Sequence, residues 1–349
     1  MGIVIAILIF GIIVTVHEFG HFICAKLSGI KVLEFSIGMG PRLLKFGKGE
    51  TVYSLRLLPV GGFCAMEGED DDSESSRSFR NQKVWKRMIV LFAGAFMNFV
   101  LGFVVVVVMT CMLTSVPTME ISGFSGVRKE DGTAEYYAQS YESGLRHGDI
   151  ILEMDGMSIL STTDLSYMMG QSSVHDVEVL RDGEEILLED VKFGDTKYGG
   201  TVDFGLVYED KTIGNVLSYS FKDSVSIGRL VWISLRDLVT GKYSAEDISG
   251  PVGVVTTIDE TAKQGETIEE KAVSLLYLTA LITINIGIFN LLPIPGLDGG
   301  RLLFCLIELI RRKPIKPEHE AYVHLAGMAL LFGIMIFATY QDIMRLITG

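Results

Sequence analysis

Apolar and polar positions alternate on a coarse scale along this chain, with four long apolar runs separated by polar segments. Gly2 to Ala25 is broken only by His17, Glu18 and His21, while Met88 to Met119 and Ala272 to Leu297 carry no charge. Ala321 to Gln341 contains one histidine, His324. Each run reaches the roughly 20 residues needed to cross a hydrocarbon core. The pattern predicts four transmembrane helices, over 1–25, 88–114, 271–300 and 321–347. The first has no cation before Lys26 and no small-residue cleavage site after its apolar run. It is therefore expected to be a retained span and not a signal peptide.

The finer pattern between the runs differs from segment to segment. Within 26–87, "KVLEFSIGMGPRLLKFGKGETVYSLRLLPVGGFCAM" alternates apolar and polar residues around Gly-Met-Gly-Pro and Gly-Lys-Gly-Glu turns. That alternation predicts a small antiparallel sheet associated with the membrane. "EGEDDDSESSRSFRNQ" follows, so polar that a mobile linker is expected. Residues 115–210 read as a compact α+β domain, with a strand at Ile150 to Met154 and a tight turn at Asp155-Gly156. In that domain "TDLSYMMG" reads as a short helix, and two further strands flank Asp182-Gly183. Residues 211–270 form an amphipathic linker. Its "SIGRLVWISLRDLVTG" is too short and too charged to span, which points to an interfacial helix, and "SGPVGVV" reads as a turn before a polar helix. Residues 301–320 are a short loop or helix between the last two spans.

Composition supports the membrane reading. Of 349 residues, 48% are hydrophobic, and mean hydropathy is +0.38. The charge is segregated: Ser115 to Glu270 holds 29 acidic and 12 basic residues, against 14 and 18 in the remainder. Such an acidic domain offers no surface to nucleic acid. Lys26 to Arg87 holds 11 cations and Arg301 to Lys316 holds five. The positive-inside rule assigns both loops to the cytoplasm. The N-terminus, the acidic domain and the C-terminus are then extracytoplasmic. None of the four cysteines lies between 115 and 270, so no disulfide framework is expected there.

The ionisable residues of the first span carry the chemistry. "HEFGH" places His17 and His21 one helical turn apart on one face, where both can hold a zinc ion, with Glu18 beside them as a general base. Three such residues inside a span are costly and mark function. A third ligand is still required. "NIGIFNLLPIPGLDGGR" offers Asp298, just after two prolines that end the third helix. Taken alone, Asp-Gly-Gly is equally a turn or helix N-cap. Depth favours the ligand: His17 and His21 lie roughly 7 to 14 Å above the cytoplasmic end of span one, and Asp298 lies three residues before Arg301 on the same side.

With "HEFGH" and "NLLPIPGLDGG" paired, the chain resembles the site-2 protease family of intramembrane zinc metalloproteases, of the bacterial RseP type. The resemblance covers the whole chain. "FAGAFMNF" at 92–99 is similar to the family's second-span motif, with Ala95 and Phe96 where Gly-Pro is usual and Asn98 in place. "GLRHGDIILEMDG" resembles the start of a PDZ core. The fold implied is a polytopic α-helical membrane protein with four transmembrane helices, a membrane-associated β-hairpin and an extracytoplasmic PDZ-like domain. The resemblance implies zinc held by His17, His21 and Asp298, with Glu18 as catalytic base. Asn98, Asn285 and Asn290 would be substrate contacts, Asn285 being equally suited to interhelical hydrogen bonding. Substrates would be transmembrane proteins such as anti-sigma factors or signal-peptide remnants, cleaved within the lipid bilayer. The rival readings are a non-catalytic PDZ scaffold and a zinc-binding transporter.

Overall fold

A computed structural model describes residues 2–47, 49–69, 73–128, 134–196, 199–242 and 249–348. The first apolar run folds as α1 (Gly2–Leu27), about 39 Å long. Strands β1 (Val32–Phe46) and β2 (Val52–Met66) follow as an antiparallel pair. Both strands bend, near 38–41 and 57–61, so that Phe35 pairs with Cys64 on one side and Tyr53 on the other. The hairpin thus doubles into four short segments, with 62–66 at one edge. Pro41 and Pro59, which cannot donate to a ladder, sit at the two bends. The segment expected to be mobile is anchored where it is described. Phe79 is buried and its N–H donates to Glu67 O, while Asn81 Nδ2 donates to the carbonyls of Ser73 and Ser75. Residues 70–72 lie outside the described residues. Helix α2 (Val84–Met112) begins four residues before the expected span.

The acidic segment builds a sheet domain. Its strands are β3 (Val116–Phe124), β4 (Gly126–Arg128), β5 (Ala134–Tyr136), β6 (Ile150–Met154), β7 (Met157–Ser158), β8 (Val174–Arg181), β9 (Glu184–Lys192), β10 (Gly194–Thr196), β11 (Gly199–Thr201) and β12 (Phe204–Glu209). The main sheet has the order β12-β3-β6-β8-β9, with β7 paired to β6. Two helices, α3 (Gln139–Glu142) and α4 (Thr162–Gln171), complete it, the latter capped by Ser161. At both Asp155-Gly156 and Asp182-Gly183 the two residues adopt positive φ, as two-residue hairpin turns require. Ile121, Leu145, Ile151, Met154, Val177, Val179 and Phe193 form the core. Helix α5 (Ile213–Val239) follows, 27 residues in length. It is longer than the interfacial helix expected from 226–241, yet it is not among the four helices apolar enough to cross a membrane.

"SGPVGVV" is a helix start and not merely a turn. Helix α6 (Pro251–Thr261) opens there, with Pro251 in its first turn. Its N-terminal N–H groups at Gly250 and Gly253 donate to the Asp342 carboxylate, at 3.1 and 2.7 Å. A partner so far along the chain leaves no local trace. Helix α7 (Ile268–Leu291) then starts at a reciprocal Thr267/Glu270 capping box. It stops at Leu291, so the expected span to residue 300 is really two elements. After a turn through both prolines, Asp298 opens a separate helix, α8 (Asp298–Arg311), and α9 (Pro317–Thr348) ends the chain.

The four candidate spans among the described residues are α1, α2, α7 and α9. By contacts the chain divides into one unit of residues 1–105 with 231–349 and another of 106–230. In the first, Ile13 of α1, Ile258 of α6 and Ile282 of α7 share a core. A second core joins Ala25, the sheet residues Phe35 and Cys64, Leu91 of α2 and Cys305 of α8.

Candidate active site

Helix α1 places the two histidines with their Nε2 atoms 3.1 Å apart and their rings edge-on, both buried. His21 Nδ1 lies 2.8 Å from the carbonyl oxygen of Val90 on α2. A carbonyl only accepts, so Nδ1 carries the hydrogen, and Nε2 of the neutral ring presents a bare lone pair. Gly94, one turn further along α2, is what lets the helices meet. A Cβ there would stand 2.7 Å from His17 Cε1 and nearer still to the His21 ring.

The third element comes from beyond α7. Asp298 is the first residue of α8, and Leu297 is its N-cap, so the carboxylate is not used as a cap. Instead Oδ2 lies 3.0 Å from His17 Nε2 and 3.3 Å from His21 Nε2, with no hydrogen-bond partner. The turn ahead of it is held by α9: Gly296 N–H donates to His324 Nδ1 at 2.9 Å. A Cβ at Gly327 would run into Pro295, so α9 lies close against that turn.

Two imidazole nitrogens and a carboxylate oxygen thus lie within 4.8 Å of one another. The donor set suits zinc, which takes histidine nitrogen and carboxylate oxygen and keeps a position open in catalytic sites. The buried, partnerless Asp298 oxygen fits it too, since a buried carboxylate without a cation or donor is strongly disfavoured. Beside the cluster, Glu18 Oε2 accepts the Cys64 N–H at 3.0 Å. That N–H belongs to the 62–66 edge of the sheet and points away from the pairing with β1. The histidines, Glu18 and Asp298 line a cavity of about 830 Å³ that also includes Met66, Arg80 and His324. On its wall Arg301 pairs with Glu69, and Arg87 pairs with Glu308 at 2.9 Å.

The four residues proposed from "HEFGH" and "LDGG" are therefore brought together. Of the three asparagines, Asn98 meets the cluster through His17. None lines the cavity. Asn98 is fully buried, with Nδ2 3.3 Å from His17 Nδ1. The half-buried Asn285 has an Oδ1 without a partner, so the interhelical bond its position allows is not made through that atom. Sequence reasoning missed Gly94, the Val90 carbonyl and the role of His324. A small residue and an asparagine four apart on an apolar helix were the available signal for the α2 face. The lone histidine of the last span was the other.

Comparison with known proteins decides the family. The model of peptidase family M50 matches residues 5–334. The chain belongs to peptidase family M50, the site-2 proteases. A Clostridium perfringens protein named as a candidate zinc metalloprotease is 36% identical over 348 residues, covering 98% of both chains. The zinc metalloprotease RasP of Bacillus licheniformis is 33% identical over 435 residues, covering 99% of this chain and 100% of its own. The regulator of sigma-W protease RasP of Bacillus subtilis is 32% identical over 428 residues, covering 97% of each. Both Bacillus alignments are longer than the 349 residues here, so those relatives carry inserted segments. This M50 chain is accordingly a membrane zinc metalloprotease, and zinc is its cofactor.

Proposed function

We propose that His17, His21 and Asp298 hold the zinc, that Glu18 is the general base, and that the enzyme cuts transmembrane segments of membrane proteins inside the bilayer. The convergence of the Asp298 carboxylate on two histidine nitrogens, with Glu18 alongside, carries this reading. When bound, zinc supplies the Lewis acidity that polarises a scissile carbonyl and makes a water molecule nucleophilic near neutral pH. Glu18 takes the proton from that water and returns it to the departing amine. A transmembrane helix satisfies its amides internally, so it must unwind before attack. The 62–66 edge, whose Cys64 N–H already meets Glu18, is placed to take the unwound segment as an added strand.

The cationic loops at 26–87 and 301–316 favour a cytoplasmic side for the site. The sheet domain at 115–210, in the role of a PDZ-like module, then faces outward and screens substrates by the size of their ectodomains. Relatives that include a regulator of sigma-W protease make a membrane-anchored anti-sigma factor the favoured substrate class, with signal-peptide remnants second.

The test is co-expression of a labelled single-span substrate with the wild type or Glu18→Gln. Cleavage should fall by at least about 100-fold while the purified variant keeps its zinc. Undiminished cleavage by the variant would sink the proposal.

A further inference from the structure

The geometry points to Asn98 as a positioning residue that fixes the tautomer of His17, its side-chain oxygen accepting the His17 Nδ1–H. The inference rests on the proposed role of His17 as a zinc ligand and adds the group that makes it one.

An imidazole binds a metal through Nε2 only if Nε2 is a lone pair, which puts the hydrogen of the neutral ring on Nδ1. His21 meets that condition through Val90, whose carbonyl accepts from Nδ1 at 2.8 Å. Among the described residues, no carbonyl is seen to accept from His17 Nδ1. The atom beside its Nδ1 is Asn98 Nδ2, at 3.3 Å. If that contact were an amide N–H donating to Nδ1, the ring hydrogen would sit on Nε2. It would then face His21 Nε2 at 3.1 Å and Asp298 Oδ2 at 3.0 Å, occupying the direction in which His17 must ligate.

The amide offers a way out. Its two ends have the same shape, and which end is oxygen follows from the surrounding hydrogen bonds. Asn98 Oδ1 is buried with no partner in the present orientation. Exchanging the two ends moves no heavy atom appreciably, gives the oxygen the Nδ1–H as its donor and frees His17 Nε2. Both histidines are then held alike, each giving Nδ1–H to an oxygen carried by α2. The spacing on α2 fits this arrangement, because Gly94 leaves room for the rings and Asn98 follows one turn later on the same side.

Zinc affinity of the full chain in detergent, measured by chelator competition for wild type, Asn98→Asp, Asn98→Leu and His17→Ala, tests this. Asn98→Asp keeps an acceptor and has no N–H, so it should bind zinc within about threefold of wild type. Asn98→Leu has similar size and no acceptor, and should bind about 10- to 100-fold more weakly. Equal affinity for Asn98→Leu, or a loss in Asn98→Asp as large as in Asn98→Leu, overturns the inference. Should Asn98→Leu fail to fold, Asn98→Asp still decides, because an amide donor and an oxygen acceptor predict opposite results for it. Unchanged zinc binding by His17→Ala would instead overturn the ligand assignment beneath it.

Discussion

Asp149 in the sheet domain and Asp298 at the head of α8 are both withdrawn from solvent, and their surroundings are opposite. Asp149 is fully buried and saturated: Arg181 donates to both oxygens, at 2.7 and 2.8 Å, and the Arg146 N–H donates at 2.7 Å. Asp298 meets two histidine Nε2 atoms, and its inner oxygen has no hydrogen-bond partner. The first is a buried acid that has found its cation within the chain. The second is grouped with two imidazole nitrogens, a donor set that could hold a metal ion. Burial of an acid therefore says little about its role, and its partners say much.

Four substitutions probe that contrast. Asp298→Asn should strip the protein of zinc and abolish proteolysis while the sheet domain keeps its melting behaviour, read by metal analysis and by thermal unfolding. A variant that retained full zinc would remove Asp298 from the ligand set. Asp149→Asn should do the reverse, destabilising the sheet domain by about 3 kcal/mol with zinc content unchanged. That figure is the low end for breaking a buried pair, because Arg181 is partly exposed. Gly94→Ala drives a methyl group against both histidine rings and should weaken zinc binding by roughly tenfold or more, in the range of disturbed supporting contacts. Wild-type affinity there would mean the two helices separate freely.

The smallest effect concerns a third buried acid, Asp223 on α5. Burial pushes its carboxyl above the usual range and nearby Asp164 adds to the rise, while hydrogen bonds from Ser161 and Thr163 oppose it. With the folded value above the unfolded one, its contribution to stability is full below the unfolded pKa of about 3.9. It is lost as pH rises through the folded value. Asp223→Asn should therefore gain stability relative to wild type as pH increases, measured by denaturant unfolding at several pH values. A difference independent of pH would contradict the shift.

The chain by itself determined the four candidate spans, though not that the third stops at Leu291, because crossing a bilayer demands long apolar runs that composition cannot hide. It also determined that His17 and His21 share a face, since helical period is local, and it marked the Asp155-Gly156 turn through the φ that glycine permits. Asp298 was legible as a candidate, yet only packing decided that it opens α8 and meets the histidines, 281 positions after His17. The hold of Val90 on His21, the turn of Asn98 toward His17, the reach of Cys64 to Glu18 and the Asp342 cap on α6 were beyond sequence reasoning. Each joins residues from different elements, and no local period encodes which polar atoms two elements will bury against each other. Asn98 makes the difference plain: its place in a second-span motif marked it as a candidate site residue, and only packing put its side chain 3.3 Å from His17 Nδ1.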